Sequence, residues 1–227
     1  MNEIQEFQQS SRVTRSNYDR LSGWYDLLAA RSERRAKEAG LEILAIQEGD
    51  TILEIGSGTG QALLALARSV GSSGKVVGID LSKGMISQAA AKISRTALSQ
   101  TAALVRGDAF YLPFQANFCD AVFMSFTLEL FPPDGILTVL SECQRVLRNG
   151  GSLCVVAIAE RANPGLPVRM YTWAQRTFPA VIDCRPIDVQ GVISQAGFQI
   201  REAVDMEMWG LPIGIVLAAS QNTPTSP

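Results

Sequence analysis

Thr51-Ile52-Leu53-Glu54-Ile55-Gly56-Ser57-Gly58-Thr59-Gly60 decides the reading of this chain, because an apolar run of strand length carrying one carboxylate passes straight into three alternating glycines. Glycine lacks Cβ, so it adopts positive φ and leaves main-chain N–H groups open to a ligand. The run that follows, Gln61 to Arg68, is rich in alanine and leucine. Such residues favour helix, so the loop opens a helix whose amino end faces the same ligand. Strand, glycine turn and helix form the first half of a βαβ nucleotide site. Taken alone, the loop is equally well a tight turn in an ordinary α/β domain.

Working outward, strand-like and helix-like segments alternate. A helix over 61–70 and the turn Gly71-Ser72-Ser73-Gly74 precede a strand from Lys75 to Asp80 and a helix over 83–96. Strands follow at Ala102 to Arg106 and Cys119 to Ser125, then a helix over 134–147, the turn Asn149-Gly150-Gly151 and a strand from Ser152 to Ala159. A last helix, Ile187 to Ala196, leads to strands at Phe198 to Val204 and Ile213 to Ala219. Strands separated by helix-length segments predict parallel pairing with right-handed crossovers. The expected fold is α/β: a Rossmann-like, doubly wound, mostly parallel seven-stranded sheet with helices on both faces.

Residues 1–46 are expected to form an N-terminal helical cap, with Tyr18, Leu21, Trp24, Tyr25 and Leu28 recurring at helical spacing. In that cap Arg31, Arg34, Arg35 and Lys37 are interspersed with Glu33 and Glu38, which predicts a solvated helix face. The main domain is expected over 47–220, with a substrate-facing insertion at 160–185 rich in proline and aromatic residues, and a flexible tail at 221–227.

Composition narrows the function classes. The chain has 227 residues, 47% hydrophobic and 19% charged, enough for one α/β domain and too apolar for a disordered chain. A net charge of −2 without a long basic run argues against a nucleic-acid partner. Four scattered cysteines without a C-x-x-C pair predict buried free thiols. There is no histidine, which removes the commonest zinc ligand and the commonest neutral-pH base, and no metal is expected. The start of the chain lacks the basic and apolar regions of a signal peptide, and the apolar run Leu211 to Ala219 is broken by Pro212 and Gly214. A cytoplasmic protein without a transmembrane segment is expected.

Asp80 ends the second strand about 20 residues beyond Gly60, the spacing at which a βαβ site places a carboxylate on ribose hydroxyls. The alternative role is a helix N-cap, for which Ser82 is better placed. A dinucleotide loop reads G-x-G-x-x-G, but Gln61 stands where its third glycine belongs, so nicotinamide cofactors are disfavoured.

The set Glu54-x-Gly56-x-Gly58-x-Gly60 with Asp80 resembles the class I S-adenosylmethionine-dependent methyltransferases. Arg106-Gly107-Asp108-Ala109, the run from Phe118 to Phe131, and Val146-Leu147-Arg148-Asn149-Gly150-Gly151 extend the match over about residues 15 to 220. The opening Tyr18-Asp19-Arg20-Leu21-Ser22-Gly23-Trp24-Tyr25-Asp26 looks like the start of the ubiquinone/menaquinone C-methyltransferase-like small-molecule group.

The resemblance implies S-adenosylmethionine as methyl donor and S-adenosylhomocysteine as product. It places Gly56, Ser57, Gly58 and Gly60 under the methionine part, with Glu54 shaping the loop or reaching the amino group through water. Asp80 holds the ribose, Leu81 and Met85 pack on adenine, and Gly107, Asp108 and Ala109 read its polar edge. Ser125 ends the fourth strand beside the donor. Tyr18 and Tyr25 lie on a helix that closes over the site in relatives, where a tyrosine face near a sulfonium is favourable; their alternative is packing against the domain.

The implied partner is a small-molecule methyl acceptor, methylated on nitrogen, carbon or oxygen, and oligomeric state is left open. Glu129 follows the fourth strand, where relatives often place a histidine. It is the candidate catalytic carboxylate, with binding of a cationic acceptor or a solvated helix start as the other readings. Tyr171 and Arg185 are candidate acceptor contacts, although Arg185 has Asp183 and Glu160 as possible ion-pair partners.

Overall fold

The computed structural model describes residues 33–160, 185–208 and 210–221. Helix α1 (Arg34–Leu44) precedes β1 (Thr51–Ile55), α2 (Gln61–Ser69), β2 (Lys75–Asp80), α3 (Lys83–Ile93) and β3 (Ala102–Arg106). Strand β4 (Cys119–Ser125), a 3-10 turn (Leu128–Leu130), α4 (Pro133–Val146), β5 (Leu147–Ile158), α5 (Val189–Gln195), β6 (Gln199–Met208) and β7 (Leu211–Ala219) complete it.

The seven strands form one sheet in the order β3-β2-β1-β4-β5-β7-β6. Strands β1 to β5 run parallel, and β7 lies antiparallel to both of its neighbours, β5 and β6. Chain order reverses between β1 and β4, and a doubly wound sheet opens its ligand crevice at such a point, beyond the carboxyl ends of the strands.

Alternation along the strands builds a core on each face. Leu53 and Ile55 of β1 join Val122 and Met124 of β4 and the buried stripe Ile136, Val139, Leu140 and Cys143 of α4. On the other face, Ile52 packs with Phe123, with Leu63 and Leu66 of α2, and with Ala36 and Leu44 of α1. Leu63 and Leu66 are fully buried, each contributing about 1.5–3 kcal/mol. Helix α1 reaches the sheet through Gly40, where a Cβ would press on Phe123 at 3.2 Å.

The chain marks several element ends chemically. Ser82 caps α3 by accepting the Met85 N–H at 3.3 Å, and Asp188 caps α5 through the Gly191 N–H at 3.0 Å. Pro133 opens α4, where its missing N–H would have had no helical partner. Other ends differ from expectation. Strand β5 starts at Leu147, which pairs with Cys119 before the register shifts to Ala121 opposite Ser152, so the glycine turn is absorbed as an irregularity of the strand. Strand β7 includes Pro212, which pairs with Glu207 and whose carbonyl accepts the Ala159 N–H at 2.8 Å.

Candidate functional site

The glycine loop leaves β1 at the reversal point. The N–H groups of Gly56 and Ser57 both donate to the Ile79 carbonyl, at 2.8 and 3.1 Å, and Gly60 N–H donates back to the Ser57 carbonyl at 2.9 Å. These bonds fold the loop over the end of β2. Gly56, Gly58 and Gly60 all have positive φ, at 72°, 52° and 80°. Gly58 differs from the others in its surroundings: a Cβ there would have nothing within 4 Å, whereas one on Gly60 would lie 3.0 Å from Ala89 Cβ. Gly60 is glycine for packing of the loop against α3, and Gly58 leaves an open cradle.

Asp80 locks that cradle. One carboxylate oxygen accepts the Gly58 N–H at 2.8 Å and the other accepts the Ser82 N–H at 2.8 Å. A carboxylate has about four acceptor positions, so this bracing is compatible with further hydrogen bonds from hydroxyl donors. Its own carbonyl accepts the Gly107 N–H at 3.1 Å, which joins the next segment to the same edge.

Glu54 lies on the strand face shared with Ile52, is 2% exposed, and has a side-chain oxygen, Oε2, with no hydrogen-bond partner among the described residues. Burial drives its carboxyl well above the ordinary range; the Lys37 charge opposes that shift and the Asp80 charge adds to it. A buried carboxyl whose Oε2 meets no partner among the described residues thus comes just before the cradle in sequence. Ser57 Oγ is likewise buried without a partner among the described residues, but its Cβ is directed at β2, where a Cβ on Gly78 would approach it to 2.8 Å.

The segment after β3 continues from Asp80 along the same edge of the sheet. Asp108 Oδ1 accepts the Phe110 N–H at 3.0 Å, a local turn that fixes the carboxylate, and Ala109 is buried in the core. Leu81 is half-buried, its carbonyl accepting Arg106 Nε at 3.2 Å. Met85, on the buried face of α3, is 2% exposed. Ser125 is buried at the end of β4, and its carbonyl accepts the Thr127 hydroxyl at 3.0 Å.

Residues 52–151, from β1 to the glycine turn in β5, match the family model of the methyltransferase domain. Over that stretch the chain matches a methyltransferase domain. It is 34% identical over 151 residues to demethylmenaquinone methyltransferase of Staphylococcus aureus strain MRSA252, an alignment that takes in 66% of this chain and 58% of that relative. The chain thus spans less than two thirds of the relative's length. A solved S-adenosylmethionine-dependent methyltransferase of Aquifex aeolicus superposes with TM-score 0.60 at 27% identity, covering 81% of this chain and 89% of that one. Geranyl diphosphate methyltransferase, solved with geranyl diphosphate and sinefungin, shares the fold with TM-score 0.66 at 17% identity, covering 81% and 76% of the two chains.

In the methyltransferase domain, Glu129 is 1% exposed and its Oε1 accepts the Ile158 N–H at 3.1 Å. That burial excludes the solvated helix start among the readings of Glu129. Arg185 donates to the Phe131 carbonyl at 2.5 Å, and Asp183, one of its two possible ion-pair partners, lies outside the described residues. Tyr18, Tyr25 and Tyr171 lie outside the described residues. Among the described residues, no three or more histidine, cysteine, aspartate or glutamate side chains group to hold a metal, and no helix is long and apolar enough to cross a membrane.

Three features of the domain escaped the sequence reading. Phe126 follows β4 in left-handed backbone, φ 52°, strained for a non-glycine residue. Lys37 leaves the solvated face of α1, its side chain 18% exposed and 2.8 Å from Glu33. The third is a clip between α4 and the loop after β3. Arg145 binds Glu142 at 2.6 Å and also donates to the carbonyls of Phe114 at 2.7 Å and Leu112 at 2.9 Å. Glu142 in turn accepts the Leu112 N–H at 2.8 Å. The hydrogen bond from Arg145 holds the Glu142 carboxyl below its ordinary range. The i,i+3 spacing of Glu142 and Arg145 was visible in the sequence; the two carbonyls that complete the clip were not.

Proposed function

We propose that this protein transfers the methyl group of S-adenosylmethionine to a small or lipophilic acceptor. The carrying observations are the open space over Gly58 and the buried Glu54 oxygen that has no partner among the described residues. Together they form a cradle and an acid for an α-amino-acid group, with Asp80 and Asp108 continuing along the same strand edge. When bound, the donor supplies a methyl group on a sulfonium, an electrophilic carbon.

The residues of the chain bind and align. The glycine loop would hold the methionine part, Glu54 would bind its ammonium, and Asp80, which braces Gly58 and Ser82, would accept from ribose hydroxyls. Leu81 and Met85 would line the adenine side, Gly107, Asp108 and Ala109 would read its polar edge, and Ser125 would stand at the β4 side. In-line displacement gains much of its rate from such alignment. Glu129 is proposed as the acid in the acceptor wall, binding a cationic acceptor or taking a proton from an acidic one. Arg185 and Tyr171 are proposed acceptor contacts, and Tyr18 and Tyr25 a cover over the donor. The quinone-type acceptor named for the Staphylococcus aureus relative supports a lipophilic acceptor. The buried free thiols support a reducing, cytoplasmic setting.

Isothermal titration with S-adenosylmethionine and S-adenosylhomocysteine, followed by a mass-scored screen of amines, phenols and quinols with labelled donor, tests this reading. Saturable binding and a product heavier by one methyl group are expected. Folded protein that binds neither ligand overturns it.

A further inference from the structure

We propose that Arg145 of α4 is a positioning residue for the adenine of the methyl donor, a reading that rests on the function proposed above. It would act through the loop over 107–118, which joins β3 to β4 and carries Asp108 and Ala109. That loop belongs to no strand or helix, so its place depends on the contacts that tie it down.

The first tie is the Gly107 N–H, which donates to the Asp80 carbonyl at 3.1 Å. Asp108 then closes a turn, its carboxylate accepting the Phe110 N–H at 3.0 Å and its carbonyl the Tyr111 N–H at 3.1 Å. Beyond the turn the chain is held from α4. Arg145 donates through Nη2 to the Leu112 carbonyl at 2.9 Å and through Nη1 to the Phe114 carbonyl at 2.7 Å. Its own carbonyl accepts the Asn117 N–H at 3.0 Å. Asp108 and Ala109 thus lie between a tie to β2 and ties to α4.

The guanidinium is committed to this loop. It carries five N–H donors in a planar fork. Nε and Nη2 meet the two oxygens of Glu142 at 2.6 and 2.7 Å, and Glu142 in turn accepts the Leu112 N–H at 2.8 Å. Leu112 is therefore gripped at both its N–H and its carbonyl. An ion pair that served only the surface of α4 would need neither. Phe110 seats the near side of the loop: its ring meets Phe131 edge-on at 5.4 Å, and a Cβ on Gly135 would come within 2.7 Å of it. The loop is laid along α4 from Gly135 in the first turn to Arg145 in the last.

Reading the polar edge of a base needs hydrogen-bonding groups fixed to within about 0.5 Å by the residues behind them. A site built in this way rejects an analogue with the wrong polar groups because its own groups are left unpaired. A loop free to shift loses that penalty before it loses apolar contact with the base.

The test compares S-adenosylhomocysteine with S-inosylhomocysteine, in which oxygen replaces the exocyclic amine of the base and N1 carries a proton. Dissociation constants are measured by titration calorimetry on the full chain, below the melting range of each protein, for wild type, Arg145→Met, Arg145→Lys and Arg148→Met. Wild type is expected to favour the adenine ligand by about tenfold or more, the scale of one hydrogen bond to a charged group. Arg145→Met should bring the two constants within about threefold of each other. Arg145→Lys keeps the charge without the fork and should fall between. Arg148 pairs with Asp120 at the amino end of β4, so Arg148→Met should keep the wild-type ratio, which separates positioning from general destabilisation. An undiminished ratio in Arg145→Met, or the same loss of ratio in Arg148→Met, overturns the inference. Should Arg145→Met fail to fold, an undiminished ratio in Arg145→Lys overturns it. A wild type that binds neither ligand, or binds both alike, is a different result and overturns the proposed function instead.

Discussion

Replacing Gly58 by alanine separates what the glycine loop does for folding from what it does for binding. Gly58 has φ 52° and an ideal Cβ would meet nothing within 4 Å. The stability cost is therefore backbone strain alone, about 1–2 kcal/mol for an alanine in left-handed conformation. For a domain of this size that lowers Tm by about 2–8 °C. The added methyl projects into the open cradle, and accommodating such a group in a filled site costs about 1–3 kcal/mol, or about 5- to 150-fold in the dissociation constant for S-adenosylhomocysteine. Gly60→Ala is the control of opposite character. Its φ is 80° and its Cβ would lie 3.0 Å from Ala89 Cβ and 3.3 Å from Ala89 Cα. Strain and overpacking then add to about 2–5 kcal/mol of lost stability. Urea melts and titration calorimetry on both variants decide the matter. If Gly58→Ala binds S-adenosylhomocysteine within about twofold of wild type, or melts as low as Gly60→Ala, the cradle is misassigned.

Glu142→Gln should lower Tm at neutral pH. Because Arg145 depresses the Glu142 pKa in the folded state, the stabilisation is present above the unfolded value of about 4.3 and fades as pH falls through the folded value. The Tm gap between wild type and variant should close in acid; a gap independent of pH argues against the clip. Glu54→Gln should act in the opposite sense. The raised folded-state pKa of Glu54 makes stability decline as pH rises from about 4.3 toward that value. The variant should lose this slope and melt no lower than wild type near pH 8, while binding S-adenosylmethionine more weakly. In a Cys184→Ser background, the remaining thiols should resist Ellman's reagent until denaturation. Cys119, Cys143 and Cys154 are buried, and burial raises their pKa, to about 12 for Cys119 and Cys154. Rapid labelling of the native protein would contradict that burial.

The alternation of apolar strands with alanine- and leucine-rich helices was legible because each segment carries its own periodicity and its own stop. Ser82, foreseen as the cap of α3, accepts the Met85 N–H as a cap should. The glycine loop was legible for a similar reason, since three alternating glycines have few other uses. What sequence could not show is long-range. Lys37 reads as one more charge on a mixed helix face, and only the seating of Gly40 against β4 and β5 turns that face inward. Phe126 carries no mark of its left-handed backbone, which goes with a long-range hydrogen bond from its N–H to the Val156 carbonyl. Pro212 suggested a later start for the last strand, because a proline lacks the N–H that a ladder uses. Its carbonyl still pairs, and the strand begins ahead of it.

Strand β7 has a further consequence for how the chain is made. It is the last strand in sequence but an inner one in space, seated between β5 and β6, with Ser152 opposite Ala219 and Ile158 opposite Ile213. A ribosome therefore releases β6 before the strand it must pair with exists. Until residues 211–219 emerge, β5 presents an open edge carrying Leu153, Val155 and Val156, side chains that end fully buried. Unpaired apolar edges recruit other chains, so the nascent protein passes through an adhesive stage that ends only when β7 slides in. A stop codon just before Leu211 would remove a strand that joins two others, and its product should aggregate rather than fray.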